Sequence, residues 1–378
     1  MSKPKVLHIQ QFVYPYRLPV FEELAKVLDL EIYFSRAKRK FRRWSTKLPE
    51  NTSYKAKILR SIYLWPVVFN PELSKILRKP YDVYSVAGLD RITLLQFLFT
   101  LFIAKIRNAP FVMVDEFLVT DYYRSRRRIS YALNILIRKI LYRYIDAFVL
   151  WNKLGKQFVE QIGVPTWKVF CGPQVMTDDE QGFRRKNNEP TGLDLLANDQ
   201  VINLVYVGNL IEIKGVHILI KAIKALRDDN IQLLIVGSGP WEHKLRNLAG
   251  NDKRVVFCGH LEGQEKRNIF KESHIFVLPS LHEPWGFVVN EAIEWGMPVI
   301  TTNAVGSANY LVKSNGYIVH PGDVAALSGA IASMIRDREK MRIMGKVSIE
   351  LSEHLTMTDM AKPFLDAVSL VTQLQYKK

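Results

Sequence analysis

The chain has 378 residues, 48% apolar and 24% charged, proportions of an ordinary globular protein. Its length predicts two domains rather than one core. Cys171 and Cys258 stand apart from any CxxC or Cys/His grouping, which argues against a disulfide framework or a zinc site and fits a reducing, cytoplasmic compartment.

The opening residues MSKPKVLHIQQF enter a buried-strand pattern at once, so no secretory signal is expected. Short apolar runs then alternate with stretches of helical period, the pattern of parallel sheets built from βαβ units. In the first half the predicted strands are KVLHIQ, LEIYFS, YDVYSVAG, PFVMVDE and DAFVLWN. Between them LPVFEELAKVL and YALNILIRKILYRYI repeat apolar residues at helical spacing. The longest apolar run, ITLLQFLFTLFIAKI from Ile92 to Ile106, is too short to span a bilayer comfortably. It is expected as a buried core helix, with an interfacial membrane helix as the alternative.

Net charge is +16 and lies entirely in this half. Residues 1–170 hold 30 Lys and Arg against 13 Asp and Glu, whereas residues 171–378 hold 23 against 24. The densest runs are RAKRKFRR (Arg36–Arg43) and RSRRR (Arg124–Arg128). The first half is therefore expected to face an anionic membrane surface, a phosphorylated acceptor or nucleic acid.

The polar stretch from Thr177 to Gln200 reads as an interdomain linker. Boundaries follow at 1–175 and 200–355, with a helix over about 358–378 able to close either domain, by packing back on the first or staying with the second. Strands of the second half are INLVYVG, IQLLIVGSG, RVVFCG, HIFVLPS, PVITTN and GYIVH. Two such domains place ligands at the carboxyl ends of their strands, and a cleft between them is the expected site.

Three strand ends there carry candidate chemistry. In VYVGNLIEIKGVHILIKAIKAL a strand closes on Gly208 and Lys214-Gly215 precede a helix, where a lysine suits a phosphate as well as a solvated loop. VGSGP places Gly237 at a similar turn. In SLHEPWGFVVNEAIEWG, Glu283 belongs to a loop and Glu291 to the helix after it, with Gly286 and the amides of Phe287 and Val288 at that helix's start. A carboxylate such as Glu291 suits a ribose diol; the plainer reading makes Glu283 a cap and Glu291 a surface residue. Trp285 and Trp295 are expected to be packing residues, as is His8, whereas His282 lies nearer the inferred chemistry.

These strings, with NGYIVHPGD, run from Val205 to Asp323 in the order and spacing of the C-terminal domain of retaining glycosyltransferases of family 4, which the chain resembles. The resemblance implies an α/β protein of the GT-B fold, two Rossmann-like doubly wound domains facing across a cleft. It implies transfer of a sugar from a nucleotide-sugar donor, UDP or GDP type, with retained configuration and no essential metal or further cofactor. By the same resemblance Glu283 lies by the donor sugar, Glu291 binds the ribose, and Lys214 with the Gly286–Val288 amides neutralises the diphosphate. Gly208, Asn209 and Gly237 would line the donor.

Asn209 stands where the family commonly has an arginine, so another cation is expected to compensate, with Arg17 a candidate. The usual Gly-Gly loop is replaced by QQFVYPYRLPVFEELA, whose Tyr-Arg-x-Pro-Val-Phe run resembles bacterial surface-polysaccharide transferases. The histidine expected near the donor sugar is not evident; Asp115, Glu116 and Asp121 stand in that region, and Glu116 joins Arg17 as an acceptor or phosphate contact. The expected partners are a nucleotide sugar, a glycan or lipid-linked acceptor and an anionic inner membrane face. The alternatives are a nucleic-acid-modifying transferase and a non-catalytic nucleotide-sugar-binding protein.

Overall fold

The computed structural model describes residues 2–36, 48–64, 67–89, 93–115, 128–176, 189–196, 201–227 and 230–376. It forms two compact units: unit 1 is Met1–Asp178 with Thr356–Lys378, and unit 2 is Asp179–Leu355.

Unit 1 is built on β1 (Lys5–Phe12), β2 (Asp29–Arg36), β3 (Lys55–Ile58), β6 (Val83–Ala87), β7 (Phe111–Asp115), β8 (Ala147–Leu150) and β9 (Val169–Cys171). They pair in parallel in the order β3-β2-β1-β6-β7-β8-β9, with Lys5 opposite Asp29 and Val6 opposite Val83 flanking β1. Strand order reverses at β1, the mark of a doubly wound sheet. The central strands are apolar almost throughout because helices cover both faces. A separate antiparallel hairpin joins β4 (Ile62–Leu64) to β5 (Val67–Phe69).

On one face lie α1 (Leu18–Ala25) and the long helix Met357–Tyr376, whose Phe21 and Phe364 rings meet the His8 ring at 5.8 and 5.7 Å. His8 is 4% exposed and shares a hydrogen bond with Ser85 Oγ at 3.0 Å, so it is a core residue. Burial, and next the charge of Arg17, lower its pKa to about 4. The other face carries α2 (Leu73–Ile76), α3 (Leu94–Ile106), α4 (Arg128–Leu141) and α5 (Lys153–Gln161), sharing one core around Phe97, Leu101, Tyr142 and Phe158.

The helix read as buried core is α3, and it is buried on one side only. Phe97, Leu101 and Ala104 face the sheet, while Phe102 and Ile106 remain 60% and 61% exposed. A continuous apolar run has no polar side to turn outward, and a sheet covers only one side of a helix. The strands β3 and β9 and the hairpin escaped the sequence reading because they are short, and β3, KAKI, alternates exposed with half-buried residues at a sheet edge.

Unit 2 holds β10 (Ile202–Val207), β11 (Ile231–Val236), β12 (Val255–Gly259), β13 (Ile275–Leu278), β14 (Val299–Thr302) and β15 (Gly316–Val319). Their order is β12-β11-β10-β13-β14-β15, again parallel and again reversing at the first strand, with Ile202 opposite Ile231 and Leu204 opposite Ile275. Part of the stretch read as linker is folded into this unit. Thr191 and Asp194 form a reciprocal cap on the short helix α6 (Gly192–Leu195), Leu193 and Leu196 enter the core, and Glu189 pairs with Arg267. The polarity of those residues serves capping and ion pairing. Among the described residues no helix is long and apolar enough to cross a membrane.

Candidate functional site

Because its strands run in parallel, unit 2 delivers the loops after β10, β11, β13 and β14 to one edge of the sheet. Gly208 and Gly237 end β10 and β11 and lie back to back: a Cβ on Gly237 would strike the Gly208 carbonyl oxygen. The loop after β10 turns at Gly215, whose φ of +70° suits glycine and whose missing side chain lets the backbone rest on the Pro279 carbonyl. From there α7 (Val216–Ala225) begins. The Leu281 N–H donates to Ile213 O at 2.8 Å and stitches this loop to the one after β13. As a result Lys214 Nζ donates to Glu283 Oε2, the two side chains being 19% and 13% exposed.

Glu283 is fixed from its backbone outward. Its N–H donates to Ala304 O at 3.1 Å and its carbonyl accepts from Gly306 at 2.9 Å, a one-residue parallel bridge to the loop after β14. Ser307 N–H donates to Trp285 O at 3.0 Å. The indole N–H of Trp285 reaches Asn290 Oδ1 at 2.9 Å, so this 2%-exposed tryptophan locks the turn. Trp295 is fully buried, so both are packing residues, as expected. Gly286, with φ of +89°, opens α10 (Phe287–Glu294), and the amides of Phe287 and Val288 occupy its first turn, the end of a helix that favours an anion.

Glu291 lies one turn further along α10. Lys266 donates to both of its oxygens, at 2.7 and 2.6 Å. Lys266 comes from a helix over Gly263–Lys271, following β12. Sequence reasoning missed it: it stands 25 residues before Glu291, and no local spacing links the two.

Burial, and after it the charge of Lys214, lower the pKa of His282 to about 4, so this 7%-exposed imidazole is neutral. Burial, and then the charge of Glu283, raise that of the Tyr206 phenol. Its hydroxyl donates to Asn209 O at 3.0 Å and braces the turn. The side chain of Asn209 is exposed. The site thus combines a cation, a helix start and two carboxylates held by lysines, a set able to bind an anionic group and a polyhydroxylated one side by side.

In unit 1, Arg17 is 5% exposed, with its guanidinium 5.2 Å from the Tyr14 ring, 5.9 Å from that of Tyr16 and 5.7 Å from that of Trp151. The cation expected at a phosphate is therefore a buried one held among aromatic faces. Asp115 lies 3.4 Å from the buried Arg138. Glu116, Asp121 and most of the two basic runs fall outside the described residues.

Residues 194–350 match the family described as Glycosyl transferases group 1. The uncharacterized glycosyltransferase MJ1607 of Methanocaldococcus jannaschii is 32% identical over 140 residues, 35% of this chain and 36% of that protein. The capsular polysaccharide biosynthesis glycosyltransferase CapM of Staphylococcus aureus is 30% identical over 157 residues, 40% of each chain. The chain thus spans well under half the length of these curated relatives. Among solved structures, Anabaena HepE in complex with UDP superposes with a TM-score of 0.71 at 16% identity, over 97% of this chain and 99% of that one, a likeness of fold. The chain adopts a GT-B-like fold, and most of its second unit matches the Glycosyl transferases group 1 family.

Proposed function

We propose that the protein is a retaining glycosyltransferase that moves a sugar from a nucleotide-sugar donor of UDP or GDP type to a hydroxyl of a glycan or lipid-linked acceptor, in the biosynthesis of bacterial surface polysaccharide such as lipopolysaccharide. The observation that carries this reading is the junction of Lys214 and Glu283, 69 residues apart in sequence, beside the first turn of α10. A departing nucleoside diphosphate gains negative charge, and a lysine with fixed amides stabilises that charge more in the transition state than in the ground state. Glu283 faces the sugar and Glu291 the ribose. The acceptor oxygen bonds to the anomeric carbon on the face from which the diphosphate leaves, and a diphosphate oxygen takes the acceptor proton. HepE was solved with UDP and CapM is named for capsular polysaccharide, which supports the choice of donor and pathway.

In this reading the enzyme works at the cytoplasmic face of the membrane, held peripherally by its basic first unit. Each Lys or Arg near an anionic leaflet contributes about 1 kcal/mol, and residues 1–170 carry 30 against 13 acidic groups. The test of the donor site is a thermal-shift screen against nucleoside diphosphates and their sugars. At a hundred times its dissociation constant the right ligand adds roughly 2.7 kcal/mol. Absence of a shift with every one of them overturns the reading.

A further inference from the structure

We infer that unit 1 docks on the membrane by inserting an apolar face formed by α3 and α4 into the hydrocarbon of an anionic bilayer. The inference rests on the membrane-peripheral reading above and names the surface that reading leaves open.

The connections β6-α3-β7 and β7-α4-β8 advance the same way across one parallel sheet, so right-handed crossovers set both helices on the same face. Consistently, Phe97 and Leu101 of α3 belong to the core against which Ile135 and Leu141 of α4 pack. Both helices turn apolar residues away from that core. On α3, Leu95, Phe99, Phe102 and Ile106 recur at helical spacing and are 38–61% exposed. On α4, Leu133, Leu136, Ile137 and Ile140 are 41–57% exposed. A globular surface rarely shows that many large apolar side chains on two helices of one face without something to cover them.

Charge identifies the cover. Neither α3 nor α4 contains a single Asp or Glu, and every charged residue on them is Lys or Arg. Lys139 and Arg143 are exposed near one stripe and Arg107 follows the other. Lys105 pairs with Asp146 and Arg138 with Asp115, while Lys139 and Arg143 stand as exposed cations beside the apolar side chains, a composition suited to an anionic interface. Beside α3 a cavity of about 250 Å³ opens between the β4–β5 hairpin and α2, lined chiefly by Val68, Phe69, Leu73, Leu95 and Phe99. Leu95 and Phe99 belong both to this slot and to the outward stripe, so the slot extends the same hydrocarbon-facing surface inward.

The experiment is co-sedimentation of the full chain with phosphatidylcholine vesicles, with and without phosphatidylglycerol, for the wild type and for two double variants, Phe102→Asp with Ile106→Asp and Leu136→Asp with Ile140→Asp. The wild type is expected to pellet with the anionic vesicles and to resist a high-salt wash in part. Each double variant is expected to lose roughly tenfold in partitioning while keeping the wild-type melting temperature and donor-induced shift. If the variants pellet as well as the wild type and salt strips all three, charge alone holds the protein: the inference falls and the peripheral reading survives. If the wild type pellets with neither vesicle, the peripheral reading falls as well. Self-association of the wild type without lipid, lost in the variants on ultracentrifugation, assigns the face to a second copy of the chain and also overturns the inference.

Discussion

Units 1 and 2 share a doubly wound plan with the strand order reversing at the first strand, yet they use their side chains in opposite ways. In unit 2 charges pair between segments distant in sequence: Lys214 with Glu283, Lys266 with Glu291, Arg267 with Glu189. In unit 1 the cations outnumber the carboxylates by more than two to one over residues 1–170, and whole helix faces stay apolar and exposed. One sheet plan thus carries two kinds of surface, paired charges beside tight loops in unit 2 and exposed apolar side chains on helix exteriors in unit 1. The first kind fails when one atom moves, and the second only when a whole patch changes.

Single substitutions in unit 2 should therefore cost far more than single substitutions on the outer face of unit 1. The largest effect is expected from Glu283→Gln, a loss of about a thousandfold in kcat with the melting temperature preserved, read by sugar transfer from the donor found in the screen. Gly215→Ala combines a strained φ of +70° with a collision at the Pro279 carbonyl. It should destabilise unit 2 by about 2–4 kcal/mol in calorimetry, and a silent result would mean the loop is looser than its contacts imply.

Acid sharpens the comparison further. Burial, followed by a neighbouring cation, lowers His8 in unit 1 and His274 and His282 in unit 2 from 6.5 to about 4. The unfolded chain therefore takes up these protons first. Stability is fully present above pH 6.5 and declines as the pH falls toward 4, by up to about 3 kcal/mol per histidine. With two such groups against one, the unit 2 transition should fall further than that of unit 1 between pH 7 and 5.

The smallest effect is expected at Lys266, a positioning residue. Lys266→Met should raise KM for the donor about tenfold with kcat nearly unchanged, and Lys266→Arg should restore most of it. Loss of kcat instead would move Lys266 into the reaction itself.

Much of unit 2 was legible because its signals are local. Gly208, Gly237 and Gly286 each sit where the backbone must turn and where φ or close approach requires glycine, and Lys214 and Glu283 lie in the same loops close to such turns. Lys266 was not legible because its partner lies on another helix and only the tertiary fold joins them. The short α6 was hidden for a related reason: Thr191 and Asp194 look like loop residues until one sees that they cap a turn. Unit 1 was harder to read. The apolar run of α3 could not say how many of its sides would be covered, since that depends on neighbours distant in sequence. The surroundings of Arg17 were equally hidden, Trp151 lying more than a hundred residues on.

The long helix Met357–Tyr376 belongs to unit 1 although it follows the whole of unit 2 in sequence. Its Met360, Ala361, Phe364, Ala367 and Val368 are at most 3% exposed, and Pro363 packs over Gly172 where a side chain would not fit. A ribosome emits this helix after all of unit 2, so the apolar face around His8 stays open while unit 2 is made and can close around its own core. Unit 1 is begun before unit 2 and completed after it. A chain halted before Met357 would present a complete unit 2 attached to an unfinished unit 1, a form prone to aggregation and open to chaperones.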